Sequence, residues 1–276
     1  MYFKNLNTRK IRAYIGVDIL NLGKKYRLGK IFREDGKALI VAMDHGLRGP
    51  IAGLEQPEVT IKKLLAGKPD AILTNLGILQ RYADQLSKLP GIILTIPSDK
   101  RALQFIPLAA RIGADAVKVS VFEPISNREK FEIFWEIAAE CEEYSIPLLA
   151  EPAPIKDVES RSLVTDVNII KKVARQAAEM GADFLKIAYT GSVESFREVI
   201  DTCANTPVVI MGGPKMETVE EVLQTVKGSI DAGGNGVAIG RNIWQFEDPT
   251  AMVRAMRKII HENASVQEAM EEIKHK

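Results

Sequence analysis

Two lysines stand where lysine is hard to explain as packing. Lys186 lies in the run Asp183-Phe-Leu-Lys-Ile-Ala-Tyr-Thr-Gly191, and Lys118 in Asp115-Ala-Val-Lys-Val-Ser-Val121. Both runs are short and largely apolar, as buried strands are. A strand sends alternate side chains to opposite faces. Phe184, Lys186 and Ala188 therefore share one face, with Leu185 and Ile187 on the other; Ala116, Lys118 and Ser120 share a face, with Val117, Val119 and Val121 opposite. Burial disfavours an ammonium ion and lowers the lysine pKa, and a second like charge nearby does the same. A neutral amine in a dry setting attacks carbonyls and forms a Schiff base. We read Lys186 as that nucleophile and Lys118 as a second amine of the same site. The bland alternative for Lys186 is a strand-end lysine whose head reaches solvent along its alkyl stem. For Lys118 it is a structural ion pair.

Proton transfer needs acids and bases nearby. Asp44 follows the run Ala38–Met43 and shares parity with Ile40 and Ala42, which points it the same way as the lysines; its alternative is a helix cap or loop-ordering role. His45 faces the other way in strict alternation. Glu151 ends the run Pro147–Glu151 and is the natural acid/base between the two lysines, or their salt-bridge partner. Two glycine-rich turns carry a different chemistry. Met211-Gly-Gly-Pro-Lys215 and Ile239-Gly-Arg-Asn242 follow the last two apolar runs. Glycine lets backbone N–H groups approach an anion. Gly212, Gly213 and Gly240 form the expected phosphate cradle, with Lys215 or Arg241 as a charged donor and Gly191 as a further backbone donor.

The elements that must position these residues alternate along the chain. Strand candidates are Ala38–Met43, Asp70–Thr74, Gly91–Ile96, Asp115–Val121, Pro147–Glu151, Asp183–Ala188, Pro207–Met211 and Gly236–Ile239. Helical periodicity covers Arg101–Ile112, Arg128–Tyr144, Thr165–Met180, Val193–Cys203, Thr218–Ile230, Pro249–His261 and Val266–Ile273. Gly113 and Gly181 read as helix-ending glycines just before strands. Strand–helix alternation implies parallel pairing through right-handed crossovers. Eight units predict an α/β fold of the (β/α)8 TIM-barrel type, one domain over 1–276, with a short N-terminal cap within residues 1–35 and an extra C-terminal helix. In such barrels the working residues lie at the C-terminal strand ends, where all the residues above fall.

Composition narrows the rest. With 37 basic and 36 acidic residues the net charge is +1, which predicts no nucleic-acid partner. No apolar run approaches a membrane span and no leader pattern opens the chain, so a cytoplasmic address and no membrane partner are expected. Cys141 and Cys203 suggest no disulfide framework. A zinc-dependent mechanism wants about three ligands, and the three histidines are His45, His261 and His275, two of them in the C-terminal tail; no metal and no cofactor are expected.

Met43-Asp-His-Gly46, Leu185-Lys186 through Tyr189-Thr-Gly191, Met211-Gly-Gly-Pro-Lys215 and Gly240-Arg-Asn-Ile-Trp-Gln245 together resemble the DeoC/FbaB class I aldolases, from about Lys37 to the C-terminus. That group includes archaeal-type fructose-bisphosphate aldolase, 2-amino-3,7-dideoxy-heptulosonate synthase and the autoinducer-2 phosphate (3-hydroxy-5-phosphonooxypentane-2,4-dione) thiolase. The resemblance implies a Schiff base on Lys186, assistance from Asp44, and a substrate phosphate held by Gly191, Gly212, Gly213, Gly240 and Arg241. It also implies a homo-oligomer. The chain departs from the archaeal pattern after strand five, where Ala150-Glu-Pro-Ala-Pro154 replaces a Tyr-Pro-Arg-Gly motif. The strand-four lysine and the Glu-Pro pair resemble the tagatose-bisphosphate and sulfofructose-phosphate aldolase branch, which makes Glu151, Lys118 or both the expected proton carriers. The reading is cleavage or formation of a phosphorylated ketose such as fructose 1,6-bisphosphate. Its rivals are a related transferase, a non-catalytic sugar-phosphate binder, and a phosphate-binding barrel of the indole or thiamin pathways, which leaves Lys186 unexplained.

Overall fold

A computed structural model describes residues 19–89, 91–121, 128–154 and 164–274. Its eight strands are β1 Ala38–Ala42, β2 Ala71–Thr74, β3 Gly91–Thr95, β4 Ala116–Val121, β5 Leu148–Pro152, β6 Phe184–Ile187, β7 Val208–Met211 and β8 Gly236–Ile239. They pair in parallel in sequence order, and β8 closes on β1, giving the expected (β/α)8 barrel. The strand runs are apolar on both faces because both are covered, as parallel sheets require. One face fills the barrel: Ile40, Ala42, Leu73, Ile93, Ala116, Leu149, Phe184, Val209 and Ala238 form a single interior cluster. The opposite face, including Leu39, Val41, Val117, Leu185, Ile187 and Ile210, packs under the helices. Ala188 lies one residue past β6 and packs in this outer layer, not on the face of Phe184, because alternation ends with the strand.

All seven expected helices form, at boundaries within two residues of the predicted ones. Local signals fix their ends. Asp166 accepts hydrogen bonds from the N–H groups of Asn168 and Ile169, and Thr218 with Glu221 makes a capping box. Gly113 and Gly181 take φ of 78° and 101°, as helix-ending glycines do. Sequence patterning assigns no helix between strands one and three. The structure has three there, at Pro57–Gly67, Leu76–Arg81 and Ala83–Leu86. The last two bury so little that they leave no apolar stripe to read. Among the described residues no helix is long and apolar enough to cross a membrane.

The expected cap is a helix, Ile19–Ile31; residues 1–18 of the predicted segment lie outside the described residues. It closes the N-terminal mouth of the barrel. Ile31 joins the interior cluster, with Leu28 and Phe32 packed against it, and Phe32 meets Phe184 edge-on at 5.3 Å. Polar residues repeat around this floor. Asp70, Asp115, Asp183 and Asn235 stand just before β2, β4, β6 and β8. Each accepts the backbone N–H at the start of the preceding strand, from Leu39 at 2.7 Å, Ile92 at 3.0 Å, Leu148 at 2.8 Å and Val208 at 3.0 Å. Arg33, Lys30 and Lys24 pair with the three aspartates from the cap side, while the Asn235 amide donates to the Gly36 carbonyl.

Candidate active site

The polar residues at the other mouth follow from strand parity. Lys186 comes two residues after inward Phe184, Lys118 two after Ala116, and Glu151 two after Leu149. All three are buried. They meet Asp44 in a continuous row. Lys186 Nζ lies 2.7 Å from Glu151 Oε1. Glu151 Oε2 accepts from Lys118 Nζ at 2.8 Å and from Ser120 Oγ at 2.6 Å. Lys118 Nζ also reaches Ser120 Oγ at 2.7 Å and Asp44 Oδ2 at 2.7 Å. Thr95 Oγ1 donates to the same Asp44 oxygen at 2.8 Å. The order is Asp44, Lys118, Glu151, Lys186, with acid and base alternating.

Electrostatics in this row are set by mutual pairing. Burial pushes the Glu151 carboxyl up, but Lys118 and Lys186 beside it more than offset that and hold it at about 2. Burial likewise acts to raise Asp44, and Lys118 followed by Lys186 outweighs it, leaving the carboxyl far below the usual range. Burial opposes the charge on Lys118, yet Glu151 and Asp44 raise its pKa above that of an ordinary lysine. One expectation is corrected here. Lys118 keeps its charge and is not neutralised by a like neighbour, because two carboxylates flank it. The Glu151 carboxylate, read from the sequence as lying between the two lysines, is the immediate partner of Lys186.

The glycine turns lie at the same mouth. Val209 pairs with Lys186 across the sheet, and Gly212 follows three residues later. By strand rise that is about 10 Å, within reach of a lysine and a short phosphorylated ketone together. Gly191 and Gly213 have φ of 100° and 61°, and nothing stands within 4 Å of the place a Cβ would take at either. Arg241 Nη2 donates to the Gly213 carbonyl at 2.7 Å, so the guanidinium is anchored at the turn. Lys215 is exposed and its Nζ donates to the Gln245 carbonyl at 3.3 Å, which turns it toward the rim.

Sequence reasoning left three residues of this region without a role, Asn242, His45 and Thr95. Asn242 is buried; its amide donates to the Gly212 and Pro214 carbonyls at 2.9 and 3.1 Å and accepts from Met216 N at 2.8 Å, tying the two glycine turns together. Its position after Gly240-Arg241 was the signal available. His45 lies past the point where alternation applies. The strand stops at Ala42, Asp44–Arg48 winds into a 3-10 turn, and His45 Nδ1 stands 3.5 Å from Asp44 Oδ1. Ser120 and Thr95, which hold the two carboxylates, follow from the same strand parity as the lysines.

The sequence and the fold have known counterparts. The chain is 33% identical over 274 residues to an uncharacterized aldolase of Saccharolobus solfataricus, covering 92% of this chain and 100% of that one. It is 32% identical over 260 residues to 2-amino-3,7-dideoxy-D-threo-hept-6-ulosonate synthase 1 of Archaeoglobus fulgidus, covering 91% and 95%. Among solved structures, an archaeal fructose-1,6-bisphosphate aldolase with its catalytic lysine covalently bound to the carbinolamine intermediate superposes with a TM-score of 0.73 at 28% identity, over 86% of this chain and 99% of the other. The DeoC/LacD family aldolase model matches residues 38–246, the span that carries every one of these strand ends, and the chain belongs to that aldolase family.

Proposed function

We propose that this protein is a metal-independent class I aldolase that cleaves or forms a phosphorylated ketose, fructose 1,6-bisphosphate being one candidate, through a Schiff base on Lys186. The single observation that carries the reading is the 2.7 Å contact between Lys186 Nζ and Glu151 Oε1. A carboxylate at that distance can take the proton that a lysine nucleophile must lose. Glu151 takes that proton, and the free amine attacks the ketone carbon. The resulting carbinolamine loses its hydroxyl as water, with the proton returned by Glu151. The iminium then withdraws the electron pair of the bond between its α and β carbons as that bond breaks, leaving an enamine. A base removes the proton of the hydroxyl that becomes the aldehyde; Asp44 and Glu151 are the carboxylates at hand. The aldehyde departs, the remaining enamine is protonated, and water releases the second product. Lys118, held charged, stabilises both carboxylates through these transfers. The phosphate sits among Gly191, Gly212, Gly213, Gly240 and Arg241, which keeps the carbonyl beside the amine.

A transferase reading has one specific support, the similarity to the Archaeoglobus heptulosonate synthase. In that case an acceptor other than a proton captures the bound intermediate. Ketose phosphates are screened for cleavage, with borohydride added to trap the adduct, and products are analysed with a panel of acceptors. The expected result is an added mass on Lys186 that is absent from Lys186→Ala, with turnover unchanged by chelator. Turnover of at least about 10³-fold above background should vanish in that variant. An adduct on Lys118 would overturn the assignment of roles.

A further inference from the structure

His45 sits where the acid–base row meets the glycine turns. Its Nδ1 faces Asp44 Oδ1, while the other oxygen of that carboxylate carries Lys118 and Thr95. Its ring meets Trp244 edge-on, with centroids 5.5 Å apart and planes at 72°. Trp244 is fixed in turn by its indole N–H, which donates to the Ala42 carbonyl at 2.9 Å. On a third side the imidazole closes against Gly240. A Cβ there would stand 3.0 Å from His45 Cε1, 2.5 Å from the Ala42 oxygen and 3.1 Å from Trp244 Nε1. Glycine is what lets the imidazole and the β8 turn approach so closely. The ladder of β1 runs to β2 and β8 through Ala38–Ala42 and does not need this side chain.

We propose that His45 determines specificity: it contacts the substrate phosphate held at Gly240 and Arg241, stands beside Asp44 with its other edge, and so favours phosphorylated over unphosphorylated ketones. This rests on the reading of the glycine turns as a phosphate cradle. An imidazole N–H is a strong donor to a phosphate dianion. A side chain that touches both the remote anion and the working carboxylate converts binding of the unreactive end into orientation at the reacting carbon.

The test compares wild type with His45→Phe and His45→Asn. Phenylalanine keeps a ring against Trp244 but has no ring nitrogen; asparagine keeps a donor in less space. Each protein is treated with borohydride and either dihydroxyacetone phosphate or dihydroxyacetone, and the mass added to Lys186 is measured. The preference for the phosphorylated ketone should fall about 10- to 100-fold in His45→Phe, the worth of one charge-assisted hydrogen bond. His45→Asn should fall between. An unchanged preference, or equal loss with both ketones, overturns the proposal. A second arm titrates each protein with inorganic phosphate by phosphorus NMR. Affinity should drop at least about fivefold in His45→Phe. Equal affinity, or no phosphate bound by wild type, also overturns it. If wild type traps neither ketone, the aldolase reading fails while the phosphate arm still decides for His45. Thermal unfolding confirms that each variant is folded.

Discussion

The two mouths of the barrel carry comparable numbers of buried charges and use them in opposite ways. At the floor, Asp70, Asp115 and Asp183 each accept a backbone N–H and pair with a cation of the capping segment. The charges are tied to the main chain, and a neutral amide, Asn235, fills the fourth equivalent place. At the working mouth, Asp44, Lys118, Glu151 and Lys186 are satisfied by one another and by the hydroxyls of Thr95 and Ser120. Among the described residues their carboxylates accept no strand N–H. A charge that satisfies the backbone is part of the scaffold, and moving its proton undoes a strand start. A charge that satisfies only other movable side chains can exchange protons without unfolding anything. On the proposed function, partner type, more than burial, separates the structural cluster from the chemical one.

The largest break in that contrast should come from Glu151→Gln. The amide keeps the volume but cannot take a proton from Lys186, and it leaves two lysines facing one carboxylate. Turnover is expected to fall by about 10³-fold, the usual scale for losing a general acid/base, with a matching delay in borohydride trapping. A variant with near wild-type turnover would show that the contact between Lys186 and Glu151 is an ion pair of the scaffold after all.

The converse prediction concerns the floor. Asp70 is almost wholly buried, and its oxygens take Leu39 N–H, the His261 ring at 2.8 Å, Arg33 and, at 3.8 Å, Arg257. Asp70→Ala strands these cations and an N–H, and should cost about 3 kcal/mol or more of stability, read by denaturant unfolding. The folded fraction should keep its kcat. A loss of kcat without a loss of stability would place Asp70 in the chemistry and erase the distinction.

How much of this was readable beforehand differs between the mouths. Eight apolar runs, each bounded by glycine, proline or aspartate, gave the barrel. Parity from Phe184, Ala116 and Leu149 turned Lys186, Lys118 and Glu151 inward. Those inferences hold because a strand's alternation is local and rigid. They stop where the strand stops: His45 and Ala188 lie past the ends of β1 and β6, where the chain bends and parity no longer applies. That Glu151 lies between the lysines was legible too, but which oxygen meets which lysine was not, since rotamers of long side chains are decided by neighbours on other strands. The floor was opaque for a related reason. Its four residues are scattered from Asp70 to Asn235, and what makes them equivalent is only their common place before an even-numbered strand.

The smallest expected effect concerns acid stability, and it sharpens the contrast further. Glu151 has a folded-state pKa of about 2, below the roughly 4.3 of an unfolded glutamate. A depressed carboxyl adds stability that is present above the unfolded value and is lost as pH falls through the folded one. The wild type should therefore lose this contribution between about pH 4.5 and 2, while Glu151→Gln has no such group to titrate. Measured by urea unfolding across that range, the stability gap between wild type and variant should shift steadily against the wild type as the solution is acidified. Near neutral pH the wild type should add no slope through Lys118, which Glu151 and Asp44 raise above the ordinary lysine range. A gap constant through the acid window would mean that Glu151 is not held as a carboxylate by its two lysines, and the working mouth would then lose the paired charges that set it apart from the floor.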